Sequence, residues 1–85
     1  MTEPWQATVG NNIRRVRESR GLSRQALAEL VGTAERYVYF IESARLDKGR
    51  PRSPSVEMLA RMAFAMKVDI AEFFKGIKRN QFENK

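Results

Sequence analysis

The chain has 85 residues, with sixteen Lys and Arg against ten Asp and Glu, a net charge of +6, and neither His nor Cys. Without Cys there is no disulfide framework, Cys-ligated zinc or thiol nucleophile, and without His there is no imidazole base, catalytic triad or His-containing zinc site. The acids form no Asp-rich loop and the five glycines are scattered, so neither a calcium loop nor a phosphate-binding glycine loop is present. The expectation is a protein that is not an enzyme and uses no cofactor and no metal. The length accommodates one small domain, near the lower limit for a self-sufficient core, which favours oligomerisation. Leu, Ile, Val and Phe together make 20 of the 85 residues, above the roughly 20% level below which a charged chain reads as disordered. No apolar signal core opens the sequence and no run approaches the roughly twenty residues of a membrane span. A cytoplasmic location, without membrane association, agrees with the missing Cys.

Val9, Ile13 and Val16 recur at four and three residues, with Trp5 one turn earlier, which predicts a first helix ending at Arg20 and closed by Gly21. Ser23 has the chemistry to cap a second helix carrying Leu27, Leu30 and Val31, and Gly32 ends it. A third helix is expected from about Ala34 to Ala44, with Val38 and Ile41 inward and Glu35, Arg36, Tyr39 and Ser43 on the other side. Residues 45–53 hold Gly49 and Pro51 without periodicity and read as a loop. Ser53 followed by Pro54 predicts the start of a fourth helix that buries Val56, Leu59, Ala63 and Met66. Asp69 and Glu72 have capping-box spacing for a short fifth helix carrying Ile70, Phe73 and Phe74. No strand pattern competes, so the class is all-α with five helices. The domain spans 1–74, with an N-terminal extension of the first helix at 4–9, and 75–85 form a polar, basic tail that either frays or offers Ile77 and Phe82 as partner contacts.

The charge is unevenly placed. Residues 1–22 carry a net +2, 45–53 carry +3 and 75–85 carry +3, while 23–44 and 54–74 carry −1 each. Lys and Arg clustered in this way are the footprint of a polyanion partner, although basic termini are also ordinary solvated tails.

The run Gly21-Leu22-Ser23-Arg24-Gln25-Ala26-Leu27-Ala28, then Val31-Gly32, Val38 and Ile41-Glu42, resembles the helix-turn-helix of the Cro/C1-type (XRE-like) repressor family. Ser53 through Val56, Leu59, Ala63, Val68 and Ile70 to Glu72-Phe73-Phe74 resembles the same family's fourth and fifth helices. The physics agrees: Ala28 is small enough for the second and third helices to approach, and Gly32 permits the turn between them. The resemblance implies a five-helix, lambda-repressor-like DNA-binding domain whose third helix lies in the major groove. Candidate base-reading residues are then Thr33, Glu35, Arg36, Tyr37 and Tyr39. Arg36 leads, because guanidinium bonds guanine O6 and N7 bidentately. Glu35 either accepts from a cytosine amino group or simply favours the helix N-terminus, and the two tyrosines either touch DNA or pack.

Ser23, Arg24 and Gln25 are the backbone-contact candidates at the second helix. The family often has Gln where Arg24 stands, so the usual Gln contact is replaced by an Arg expected to reach a phosphate. Ala34 stands where relatives often have a capping Ser, so Thr33 caps the third helix or the cap is lost. Phe40 replaces a residue that is often basic. Arg17 and Glu42 match a pair that forms an internal salt bridge in the family and are assigned to structure.

The loop at 45–53 is several residues longer than in a typical relative. Its Lys48-Gly49-Arg50-Pro51-Arg52 resembles the core of an AT-hook, which enters the narrow minor groove of A·T-rich DNA. Arg45, Lys48, Arg50 and Arg52 are expected either along the phosphates, in the minor groove, or free in solvent. Relatives pair through the fifth helix or the segment after it, which makes Phe74 and Ile77 dimer candidates. The expected function is a sequence-specific transcriptional regulator, a repressor above all, binding a palindromic operator in double-stranded DNA as a homodimer. Such a protein is nucleoid-associated when bound. The alternative is an antitoxin-type or adaptor protein whose main role is to bind a protein partner.

Overall fold

The computed structural model describes residues 3–44, 46–47, 50–51 and 53–82, with backbone alone at 46–47 and 50–51. Arg45, Lys48 and Arg52, and the side chain of Arg50, lie outside the described residues. Four α-helices dominate: α1 (Trp5–Ser19), α2 (Arg24–Val31), α3 (Glu35–Ser43) and α4 (Val56–Met66). They are followed by two 3-10 turns at Ile70–Phe74 and Arg79–Phe82. The fold class is all-α, as expected.

Helix ends follow local chemistry. At the end of α1 the Leu22 N–H donates to Arg17 O and the Gly21 N–H to Glu18 O, with Gly21 at φ 71°. This is a Schellman closure, which needs the left-handed backbone that glycine adopts without steric cost. Ser23 caps α2, its hydroxyl accepting from the Ala26 N–H at 3.0 Å, and Gly32 at φ 79° closes it. At α3 the capping position is Ala34, with no side-chain bond, so of the two alternatives at this helix start it is the loss of the cap that is observed. Glu35 in its first turn partly compensates through the helix dipole.

Three expectations need correction. The fourth helix is capped by Ser55, which accepts from the Met58 N–H at 3.0 Å, and not by Ser53. Ser53 and Ser55 flank Pro54 with equal capping chemistry, and the later one wins because the buried stripe starts only at Leu59. That stripe is Leu59, Met62, Ala63 and Met66, so Val56, in the first turn, is 77% exposed. The fifth helix is a 3-10 turn: Asp69 accepts from the Ala71 N–H at 2.9 Å, and the backbone bond from Glu72 N to Asp69 O spans three residues. Five residues cannot repay α-helix nucleation, and the tighter turn still buries Phe73. Within the 45–53 segment, Leu46–Asp47 pairs antiparallel with Arg50–Pro51, Leu46 opposite Pro51 and Asp47 opposite Arg50. Two residues are too few to show strand alternation in sequence.

The core joins Val9, Ile13 and Val16 of α1 to Leu27, Ala28 and Val31 of α2, Val38 and Ile41 of α3, the α4 stripe and Phe73. Instead of fraying, the residues after 74 fold back on α1 as far as Phe82. Asn12 donates through Nδ2 to Phe73 O (3.0 Å) and Lys75 O (2.8 Å), and Gln81 Nε2 donates to Thr8 Oγ1 (2.8 Å) and Glu3 O. Phe82 stacks on Trp5 with ring centroids 5.9 Å apart.

Helix α1 approaches the end of α3 closely at Gly10. A Cβ there would lie 2.8 Å from the Glu42 carbonyl oxygen and closer still to that of Ile41. Backbone carbonyls cannot step aside as a flexible side chain can. Gly10→Ala should therefore destabilise the domain by about 1–3 kcal/mol despite its better helix propensity. Urea unfolding of the two chains checks this.

Candidate nucleic-acid interface

Helices α2 and α3 are joined by Gly32, Thr33 and Ala34, with the Thr33 N–H donating to Ala28 O at 2.9 Å. Ala28 is buried between the two helices. One side of α3 is spent on packing through Val38, Ile41 and Glu42. The opposite side carries Glu35, Arg36, Tyr39 and Ser43, all exposed, with Phe40 half-buried beside them. Arg36 makes no hydrogen bond or ion pair with any described residue, so its guanidinium is available to a ligand. Thr33 is half-buried at the turn, and Tyr37 is half-buried against the core, off the outward face. Of the five candidates, Glu35, Arg36 and Tyr39 thus share one surface, with Thr33 at its edge.

Beneath this surface lies a buried ion cluster. Arg17 from α1 donates through Nε and Nη2 to the two carboxylate oxygens of Glu42, the latter at 3.0 Å, and through Nη1 to Leu22 O at 2.7 Å. The Glu42 side chain is 1% exposed and that of Arg17 7%. The hydrogen bond to Glu42 raises the Arg17 pKa, burial opposes the rise, and the attraction of Glu42 and Glu18 adds to it. A raised folded-state pKa keeps Arg17 charged at every pH below the arginine range, so the arginine's side of the pair is lost only in strong alkali. The assignment of Arg17 and Glu42 to structure, made from the resemblance, agrees with this geometry.

A third member of the cluster was not foreseen. Arg24, the first residue of α2, donates through Nε to Glu42 Oε1 at 3.0 Å, and its guanidinium lies over the Tyr39 ring, 5.3 Å from the centroid. Two arginines therefore share one buried carboxylate, and no buried side-chain nitrogen or oxygen among the described residues lacks a partner. The signal for this role was the departure itself, an Arg where relatives often have Gln. Ser23 is occupied as the α2 cap, and Gln25 donates to Glu29 at 3.3 Å on the exposed face of α2.

Other basic residues are committed elsewhere. Arg20 donates through Nε to Met66 O at 2.7 Å and through Nη2 to Lys67 O, capping the last carbonyls of α4. Arg14 pairs with Glu18 and Arg61 with Glu57 on exposed helix faces. Phe73 is fully buried, Phe74 is 39% exposed, and Ile77 is half-buried against the core. Among the described residues no group of three or more metal-ligating side chains comes together, and no helix is long and apolar enough to cross a membrane.

A short capped helix, a glycine turn and a second helix with one face free of packing define a helix-turn-helix, a DNA-binding module. The family model for this helix-turn-helix, HTH_3, matches residues 13–73, and the chain belongs to that Cro/C1-type family. Among solved structures it is similar to the restriction-modification controller protein C.AhdI from Aeromonas hydrophila. That likeness has 29% identity and a TM-score of 0.70, covering 81% of this chain and 96% of that one. An HTH_3 family transcriptional regulator from Vibrio cholerae is 28% identical with a TM-score of 0.67, covering 82% of this chain and 36% of that one. The clp gene regulator ClgR from C. glutamicum shares the fold at 22% identity, with a TM-score of 0.71 and coverage of 85% and 86%. No curated protein sequence matches. Family and neighbours together mark a DNA-binding transcriptional regulator.

Removing one member of the ion cluster leaves a poorly compensated charge. Arg17→Met or Glu42→Gln should cost roughly 3–5 kcal/mol of stability. Glu42→Gln should be the worse, because it strips the partner from two arginines. Thermal unfolding by circular dichroism, run before any binding assay, separates this folding lesion from a direct effect on DNA binding.

Proposed function

We propose that the protein is a sequence-specific transcriptional regulator, acting as a repressor, that binds a palindromic operator in double-stranded DNA as a homodimer. The observation that carries this is the outward face of α3, where Glu35, Arg36 and Tyr39 stand together and Arg36 has no partner among the described residues. Arg36 is assigned to a guanine, Glu35 to a cytosine amino group, and Thr33 and Tyr39 to flanking base or phosphate contacts, whereas Tyr37 packs on the core. Ser23, Arg24 and Gln25 lie at the start of α2, with Ser23 and Gln25 as contacts to the DNA backbone. Its place of action is then the nucleoid, in the cytoplasm.

The loop arginines and lysine at 45, 48, 50 and 52 add affinity through the phosphates. For the homodimer, Phe74 is the better contact of the two candidates, since Ile77 already packs on its own core. An antitoxin-type or adaptor role is favoured by a different observation: Phe64 and Val56 on α4 are 88% and 77% exposed, as suits a face that contacts protein.

Selection of bound sites from random DNA tests the main reading. A palindromic consensus supports it; the absence of any enriched sequence, with a soluble folded protein, refutes it in favour of a protein-binding role. Arg36→Ala should cost about 1–3 kcal/mol on the selected site and relax preference at a single base pair in each half-site. Replacing Arg50 and Arg52 together by Ala should weaken binding on all sequences and flatten the slope of log K against log salt, by up to about 0.9 for each phosphate no longer neutralised. Sedimentation equilibrium with operator DNA should show two chains per site, and a lone chain would contradict the dimer.

A further inference from the structure

We infer that Arg24 is a base-reading residue, a guanine reader set at a fixed orientation by Glu42 and Tyr39, and not a phosphate contact; this rests on the proposed sequence-specific DNA binding. A phosphate contact needs only a flexible cation. Arg24 is held on two sides. Its Nε is bonded to a carboxylate that is 1% exposed, and its face covers Tyr39, which stands on the same outward surface of α3 as Glu35 and Arg36. The bond to Glu42 turns the Nε edge of the guanidinium inward. The remaining edge, formed by Nη1 and Nη2, makes no hydrogen bond within the described residues, while the side chain as a whole is 33% exposed. That edge presents two parallel N–H donors, the geometry that bonds O6 and N7 of guanine together.

Pinning also removes much of the rotamer entropy that a free arginine loses on binding. An exposed surface arginine gains little from such an arrangement if its task is to neutralise a phosphate. A base reader gains directly, because discrimination depends on where the two donors stand. Glu42 and Tyr39 are positioning residues here; Glu42 performs this task in addition to its structural bond with Arg17. Arg36 and Arg24 would then read separate base pairs, from α3 and from the start of α2.

The test uses the full chain with Arg24→Gln and Arg24→Lys. For wild type and both variants, bound sites are selected from random DNA, affinities are measured across a salt series, and thermal unfolding is recorded. A guanine reader predicts that the wild-type consensus holds a G·C pair, distinct from the one whose preference relaxes in Arg36→Ala. Gln should convert that pair to A·T, because its amide matches adenine N6 and N7. Lys should keep the charge yet lose roughly 5- to 150-fold in discrimination at that pair. A phosphate role predicts an unchanged consensus in both variants, uniform loss for Gln with a shallower salt slope, and near-wild-type binding for Lys; that result overturns the inference. A lowered melting temperature with unchanged consensus and affinity overturns it in favour of a purely structural role. A wild-type chain that enriches no sequence overturns the sequence-specific reading, and the Arg24 assignment with it.

Discussion

One carboxylate holds the reading surface together. Glu42, at the end of α3, receives hydrogen bonds from Arg17 of α1 and Arg24 of α2. The two helices of the helix-turn-helix and the helix before them are thus tied at a single buried point, and Leu22 O, at the corner between α1 and α2, accepts from the same Arg17. A buried ion pair is seldom a net source of stability against a well-packed apolar alternative. Its value is geometric: the bidentate pair admits one relative placement of α1 and α3, whereas an apolar contact tolerates several. For a surface that must meet base edges, the placement of α3 matters more than a further kcal/mol of stability. The close backbone contact at Gly10 acts in the same place and in the same sense, bringing α1 against the carbonyls of Ile41 and Glu42.

The +6 charge divides between internal and external duties. Arg17, Arg20 and Arg24 all bond groups within the chain, so three of the arginines in the first 24 residues carry the fold. Arg20 closes α4 by donating to its last carbonyls, which joins α1 to α4 without apolar area. Arg36, by contrast, bonds no described residue, and the segment at 45–53 that follows α3 carries a net +3. A bulk excess of basic residues therefore overstates the electrostatic footprint and understates how much of it is architecture.

Much of the fold was legible because it rests on local rules. The buried residues of α1, α2 and α3 recur at three and four positions, Ser23 caps where a hydroxyl acceptor was needed, and Gly21 and Gly32 stand where the backbone turns left-handed. The misses share a cause, which is that tertiary context chose between locally equal options. Ser53 and Ser55 are equally good caps, and only the position of the buried stripe on α4 decides. Met62 looks no more apolar than Met58, yet Met62 is fully buried while Met58 packs on the core only in part. Asn12, Thr8 and Gln81 carry no periodic signal, so their bonds between the first helix and the last residues, more than sixty positions apart, were invisible. The pair of Arg17 and Glu42 was visible only through the family resemblance, since 25 residues separate them.

The site was legible in part for a related reason. Glu35, Arg36 and Tyr39 could be placed on one face because helical period alone puts them there. Tyr37, two residues before Tyr39, could not be assigned by residue type, and packing turns it toward the core. Arg24 shows the other limit. Its identity marked it as a departure, but its consequence depended on where α3 delivers Glu42 and Tyr39. A substitution at the first position of α2 thus does more than exchange one contact for another. By joining a buried carboxylate that already serves α1, it makes the orientation of the new side chain a property of the whole three-helix assembly. On the guanine reading proposed for Arg24, specificity at that position is coupled to stability, and the residues that set the fold also set what the surface can read.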